Sequence, residues 1–264
     1  MRVYVNGIGL IAPGLNGWAA SVPILAGSAD YIAGPLTIPV LEILPPAERR
    51  RTPTVVKLAI AAGCEALANA GQAAAKIATV FTSSGGDGDV IHQICETLTE
   101  PEREVSPTRF HNSVHNAPAG YWGIATGAHE PSTSLCAYDA SFAAGLIEAA
   151  TQVSIDGHSV LLVAYDAPYP EPINGVRHIG AGFGIAMLLS PIQSERSLSA
   201  LDISLGSSAA QITKSTQPEL ENFRNSVPAA RALPLIASIA KREFATVITA
   251  YLGDNSLRTW VTPC

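Results

Sequence analysis

Phe142-Ala143-Ala144-Gly145-Leu146-Ile147-Glu148-Ala149-Ala150-Thr151-Gln152-Val153 is the stretch that decides the fold. It has helical length, and small or apolar side chains lie on nearly every side of it. A helix with so little polar face is enclosed by other elements instead of lying on a surface. Upstream, Ser132-Thr133-Ser134-Leu135-Cys136 reads as a strand, and downstream residues 159–165 read as another. Further β-rich runs cover residues 3–11, 77–83, 185–189 and 201–205. A second helical pattern spans 54–70, with Val55, Leu58, Ala62, Leu67 and Ala70 largely along one face. It opens after Pro53, and Gly71 suits its end. Strands alternating with helices predict an α/β layered fold, and a buried central helix requires at least three layers.

Composition narrows the function classes. Of 264 residues, 47% are hydrophobic and 14% charged, against a usual charged share of about 25%. A surface so poor in solvating groups predicts that another subunit covers part of it, and the apolar content excludes a disordered chain. The net charge is −6, and the longest basic run is Arg49-Arg50-Arg51; no basic footprint for nucleic acid is present. Four cysteines, Cys64, Cys95, Cys136 and Cys264, form no C-x-x-C pair. The apolar N-terminal run is interrupted by Asn6, Gly7 and Gly9 and closed by Pro13-Gly14, which is a strand with a turn, not a secretory signal. No apolar run is long enough for a membrane span, so a reduced, cytoplasmic protein is expected.

A change of character near residue 195, where Ser and Gln become frequent, divides the chain into 1–195 and a packed-on appendage, 196–264. The appendage reads as a helix over 227–241 with Pro234 in its interior, then a hairpin around Gly253-Asp254-Asn255.

Three places carry candidate chemistry. Thr82-Ser83-Ser84-Gly85-Gly86-Asp87-Gly88 follows a strand, as phosphate loops do, but it lacks Gly-Lys-Ser/Thr, and Asp87 and Asp89 would repel an anion. It reads as a tight strand-to-helix turn. His111 and His115 stand at helical metal-ligand spacing, yet Asn112 replaces the glutamate of the zinc-protease pattern and no third ligand is placed. They read as surface or interface histidines, with no metal. Cys136 ends a strand just before the buried helix, where a helix N-terminus activates a thiol; catalysis would still require a base and oxyanion donors. Without them it is an inert thiol.

Taken in order, these motifs resemble the N-terminal half of the β-ketoacyl synthases, the thiolase-fold condensing enzymes. Asn6-Gly7-Ile8-Gly9 with Pro13-Gly14 resembles the family's opening strand and turn, and residues 58–67 its first long helix. Ser106-Pro107, then Asn116, then Ala119-Gly120 is similar to a synthase pattern, and residues 161–166 and 182–188 fall where two further core strands belong. The resemblance covers residues 1–195. It implies a thiolase-like layered α/β fold, the N-terminal half only, with a small C-terminal helix-hairpin appendage, and no cofactor.

The departures set the functional expectation. Counting back from Gly145 by the family's spacing puts the nucleophile at Ala137; counting forward from Pro131 puts it at Asp139. Neither lands on Cys136. The synthases also draw two histidines from their second half, and no histidine follows His178 here. The resemblance therefore implies a catalytically silent partner, similar to the shortened chain length factors of bacterial aryl-polyene type pathways. Such a subunit heterodimerises with an active β-ketoacyl synthase, meets acyl carrier protein through that complex, and limits acyl chain length. In that family the helix after Ser-Pro borders the acyl tunnel; here it corresponds to 110–122, with Phe110, Val114, Ala117 and Tyr121 on one face. Enlarging Ala117 is then expected to shorten products. Ser134 is expected on a strand that pairs with the partner, and Tyr138 and Asp139 at the interface. The alternatives are a minimal acyltransferase or thioesterase using Cys136, and a homodimeric scaffold.

Overall fold

The computed structural model describes residues 1–207 and 210–264. Among them nine strands form one sheet: β1 (Arg2–Ala12), β2 (Leu15–Asn16), β3 (Ala78–Thr82), β4 (Ser132–Leu135), β5 (Val160–Asp166), β6 (Phe183–Ser190), β7 (Ser199–Ser207), β8 (Ala245–Ala250) and β9 (Asn255–Pro263). The spatial order is β4-β3-β5-β6-β1-β7-β9-β8, with β2 folded back on β1. Strands β4, β3 and β5 are parallel, and β6 runs against both β5 and β1. From β1 onward every pairing is antiparallel. The helices are α1 (Trp18–Ala26), α2 (Pro46–Arg51), α3 (Thr54–Ala70), α4 (Gly88–Thr99), α5 (Pro107–Asn112), α6 (Ala117–Thr126), α7 (Ser141–Asp156), α8 (Ile173–Val176), α9 (Pro218–Ser226) and α10 (Leu233–Lys241).

The strand period of two distributes the core over two faces. On β5, Leu161, Val163 and Tyr165 join a cluster with α3 and α6, whereas Val160, Leu162 and Ala164 join one with α7. Strand β6 divides likewise, Ala186 and Leu188 on one side and Ile185, Met187 and Leu189 on the other. The result is helices, sheet, helices. Helix α7 lies in an outer layer and is not enclosed as expected: Phe142, Leu146, Ala149 and Val153 face the core, whereas Ala144, Ile147 and Glu148 are half-buried and Thr151, Ser154 and Ile155 exposed, because a helix laid on a sheet buries only the face turned to it. All of β5 and β6 is buried, as expected of strands covered on both faces.

Helix α3 lies unusually close to β1. A Cβ on Gly7 would come within 2.2 Å of the Ala66 carbonyl oxygen, and one on Gly9 within 2.0 Å of that of Ala62. Only glycine admits backbone this near. From α3, Glu65 accepts the amide N–H groups of Leu10 and Trp18, and Asn69 Nδ2 donates to the Ile8 carbonyl at 2.7 Å.

Residues beyond 195 extend this same sheet: β7 pairs directly with β1, and β9 with β7. The hairpin around residues 253–255 forms as β8 and β9. The expected helix over 227–241 differs. A 3₁₀ turn, Pro228–Ala232, precedes α10, and Pro234 sits in the first turn of α10. A proline there forfeits no intrahelical hydrogen bond, whereas in a helix interior it would. No helix among the described residues is long and apolar enough to cross a membrane.

Candidate functional site

Strand β4 is the end of the sheet, and the chain leaves it through Cys136 and Ala137 into a 3₁₀ turn, Tyr138–Ala140, that opens α7. Polar groups pin this elbow. The Ser141 hydroxyl accepts the Ala137 N–H at 3.0 Å and lies 2.7 Å from the Tyr138 carbonyl, while the Thr82 hydroxyl donates to the Ser141 carbonyl at 2.9 Å. Tyr138 itself is left-handed, with φ 52°, an uncommon conformation for a bulky residue. It stands between Ala137 and Asp139, the two positions on which the sequence counts converge.

The candidate thiol and carboxylate are both engaged. Cys136 is exposed, and its Sγ donates to the Ser84 carbonyl oxygen at 3.1 Å. Asp139 faces two guanidinium groups, Arg177 at 2.6 Å and Arg231 at 2.9 Å. The Arg177 guanidinium also lies 3.7 Å over the centre of the Tyr138 ring.

The glycine loop behind the elbow has its donors occupied. Ser84 N–H donates to Asp166 at 2.8 Å, and Gly86 N–H donates to Ser83 Oγ at 2.9 Å. Tyr169 lies across the loop so closely that a Cβ on Gly85 would be 2.0 Å from its hydroxyl and one on Gly88 2.1 Å from its ring. The loop is a seat for Tyr169, and it offers an anion no cradle. Asp87 caps α4 by accepting the Val90 N–H at 3.0 Å.

Asp166 is the buried centre of this region. One oxygen accepts Ser84 N–H at 2.8 Å, Ser84 Oγ at 2.7 Å and Ser83 Oγ at 3.3 Å; the other accepts Ala229 N–H at 2.8 Å. Burial pushes its carboxyl above the ordinary aspartate value, and the bonds from Ser84, Ala229 and Ser83 oppose that. The neighbouring Tyr165 phenol is fully buried without a hydrogen-bond partner among the described residues, and desolvation pushes it well up.

The expected helix over 110–122 is two helices. It breaks between α5 and α6 because Pro118 has no N–H to give the Val114 carbonyl; the Ala117 N–H turns to that oxygen instead, at 3.0 Å. The single face accordingly divides. Phe110 is 67% and Val114 49% exposed, whereas Ala117 and Tyr121 are buried in the α3–α6 cluster. Tyr121 donates to Asn112 Oδ1 at 3.0 Å, and Asn112 Nδ2 to the Arg51 carbonyl at 3.0 Å. An enlarged side chain at Ala117 would overpack the core; the outward positions are Phe110 and Val114. The break also separates the two histidines: His111 meets Tyr121 edge-on at 5.8 Å, and His115 lies beside Gly86. Ser134 sits on β4 opposite Phe81, half-buried, with the strand's other edge unpaired among the described residues.

Arg177, Arg231, Asp166 and Tyr169 complete the site without having been singled out as site residues. An aspartate closing the otherwise apolar run 160–165 was a usable signal for Asp166, because buried carboxylates are rare unless bonded. The arginines gave none: Arg231 meets Asp139 across 92 residues.

A mixed sheet with helices on both faces and an elbow leading into α7 defines the thiolase-like fold of ketosynthase N-terminal domains. Residues 26–250 match the family model described as "Beta-ketoacyl synthase, N-terminal domain", and the chain belongs to that family. No curated protein matches it in sequence. Among solved structures, one match is to the ketosynthase (ApeO) in complex with its chain length factor (ApeC) from Xenorhabdus doucetiae. It has a TM-score of 0.75 and 22% identity over 98% of this chain and 99% of the other. Another is the ishigamide ketosynthase/chain length factor, with TM-score 0.74, 15% identity and 99% coverage of both chains. A third is AntDE:AntF, a type II PKS acyl-carrier protein in complex with its ketosynthase, with TM-score 0.75, 12% identity, and coverage of 100% and 99%. At such identities the likeness establishes the fold.

Proposed function

We propose that this chain is a non-catalytic chain length factor of a type II fatty acid or polyketide pathway, aryl polyene-like in kind. It pairs with an active β-ketoacyl synthase in the cytoplasm, stabilises it, limits acyl length, and meets acyl carrier protein through the complex. The carrying observation is the elbow. Among the described residues no base is hydrogen-bonded to the Cys136 thiol, whose proton goes to the Ser84 carbonyl, and a thiol without an adjacent base to take its proton is a weak nucleophile. The edge of β4, unpaired among the described residues, and the exposed Phe110, Val114, Ile124 and Tyr138 supply the unsatisfied backbone and apolar area that a subunit interface consumes. The solved complexes of ketosynthases with chain length factors on this fold support the same assignment.

The test is co-expression with an active synthase and its acyl carrier protein, followed by co-purification and analysis of product length. A stable pair with full-length products is expected. Cys136 exposure favours the competing reading, an acyltransferase or thioesterase. Rapid acylation of Cys136 from acyl carrier protein in the isolated chain would establish that reading and overturn the silent one. A homodimer that ignores the synthase in size-exclusion chromatography would overturn the pairing.

A further inference from the structure

We propose that Tyr138 is a preorganised docking side chain for the synthase subunit, and that Asp139 positions it by clamping Arg177; this rests on the pairing proposed above. Tyr138 is 61% exposed, yet it is not free to wander. Its backbone is held at φ 52°, a conformation that persists in a bulky residue only where the surroundings over-determine it. They do so from both sides. The Ser141 hydroxyl lies 2.7 Å from the Tyr138 carbonyl and accepts the preceding amide, while Arg177 covers the ring at 3.7 Å. Arg177 is fixed in turn by Asp139 at 2.6 Å, and the other oxygen of Asp139 holds Arg231 at 2.9 Å. A strained, exposed aromatic braced by a chain of ion pairs is an arrangement that the isolated subunit does not require for its core.

The location points to one occupant. Tyr138 follows closely on β4, the end strand of the sheet, so a subunit that adds its own strand to that edge meets the ring next. Tyrosine and arginine are the residue types that dominate interface energetics, and a side chain ordered before binding loses little further freedom on docking. Two guanidinium groups share one carboxylate, which leaves a positive rim. The matching surface is therefore an apolar pocket with an acidic edge on the synthase.

The test compares wild type, Y138F, Y138G, R177M and D139N for affinity toward the active synthase by biolayer interferometry, and for thermal midpoint as isolated chains. Y138F, which keeps the ring, is expected to bind as wild type does. Y138G is expected to bind about 30-fold more weakly, the loss of one strong interface residue. Its thermal midpoint should be unchanged or higher, because glycine accepts the left-handed backbone without strain. R177M and D139N are expected to weaken binding about tenfold by releasing the ring. Y138G binding within about threefold of wild type would overturn the proposal. So would a Y138G chain that melts well below wild type, because the ring would then be a folding element. A wild-type chain that binds no synthase would overturn the pairing itself, an outcome distinct from either.

Discussion

Replacing Asp166 by Asn perturbs one atom of the buried centre that ties the glycine loop to the C-terminal turn. The carboxylate oxygen facing Ala229 accepts only that N–H, at 2.8 Å, while its twin accepts three donors from Ser83 and Ser84. An amide must direct its NH₂ toward one backbone N–H or the other, so D166N strands a buried donor in either orientation. Each stranded donor costs about 1–3 kcal/mol, and the amide nitrogen adds a similar amount. Removing the ionisation penalty of a buried acid returns part of this. The net expectation is a loss of about 3 kcal/mol at neutral pH, or about 6–12 °C in Tm for a chain of this size. The pH dependence has a definite sign. Burial raises Asp166 on folding from its ordinary value of 3.8, so its contribution is largest below that value and is lost as pH rises through the elevated one. The advantage of wild type over D166N therefore shrinks with rising pH. Urea or thermal unfolding of both proteins across the acidic to neutral range measures it, and amide exchange at Ala229 reports the same bond locally. A D166N chain as stable as wild type at neutral pH, or an advantage that grows with pH, would refute this account.

Three further outcomes follow from the packing. G9A brings a methyl group to within 2.0 Å of the Ala62 carbonyl, which α3 can relieve only by moving off β1. A loss exceeding about 3 kcal/mol is expected, seen as a collapse of Tm or of soluble expression. Y165F removes a buried hydroxyl that has no partner among the described residues, and stability should hold or rise by about 1 kcal/mol; a clear drop on denaturation would mean that the hydroxyl is bonded. V114W enlarges an outward-facing position, 49% exposed, so the isolated chain should melt as wild type does within about 0.5 kcal/mol. In the co-expressed pair it should shorten the products, read by mass spectrometry, and unchanged lengths would remove Val114 from the tunnel.

The layered fold was legible because its signals are local. The helix over 142–153, the bounds of α3 and the strand runs each follow from side-chain pattern within one element; the small apolar residues on the outer face of α7 misled only as to its enclosure, since Ala144 and Ile147 are half-buried. Local reading went wrong where a proline had to be placed. The expected helices over 110–122 and 227–241 both run through a proline, and the chain resolves each by beginning a helix one residue before it, at Ala117 and Leu233, so that Pro118 and Pro234 fall in a first turn. The first of these decides which candidate residues face outward. With the break in place, Phe110 and Val114 are presented and Ala117 and Tyr121 become core.

The sequence by itself determined the layers, the principal helices and strands, and the family resemblance. Only the tertiary structure decided what occupies the elbow. Asp139 draws Arg177 and Arg231 from distant segments, and Asp166 draws the Ala229 amide across 63 residues. Such contacts depend on which loops the sheet brings to one end. Side-chain pattern records burial and period within an element, and it carries no information about that meeting.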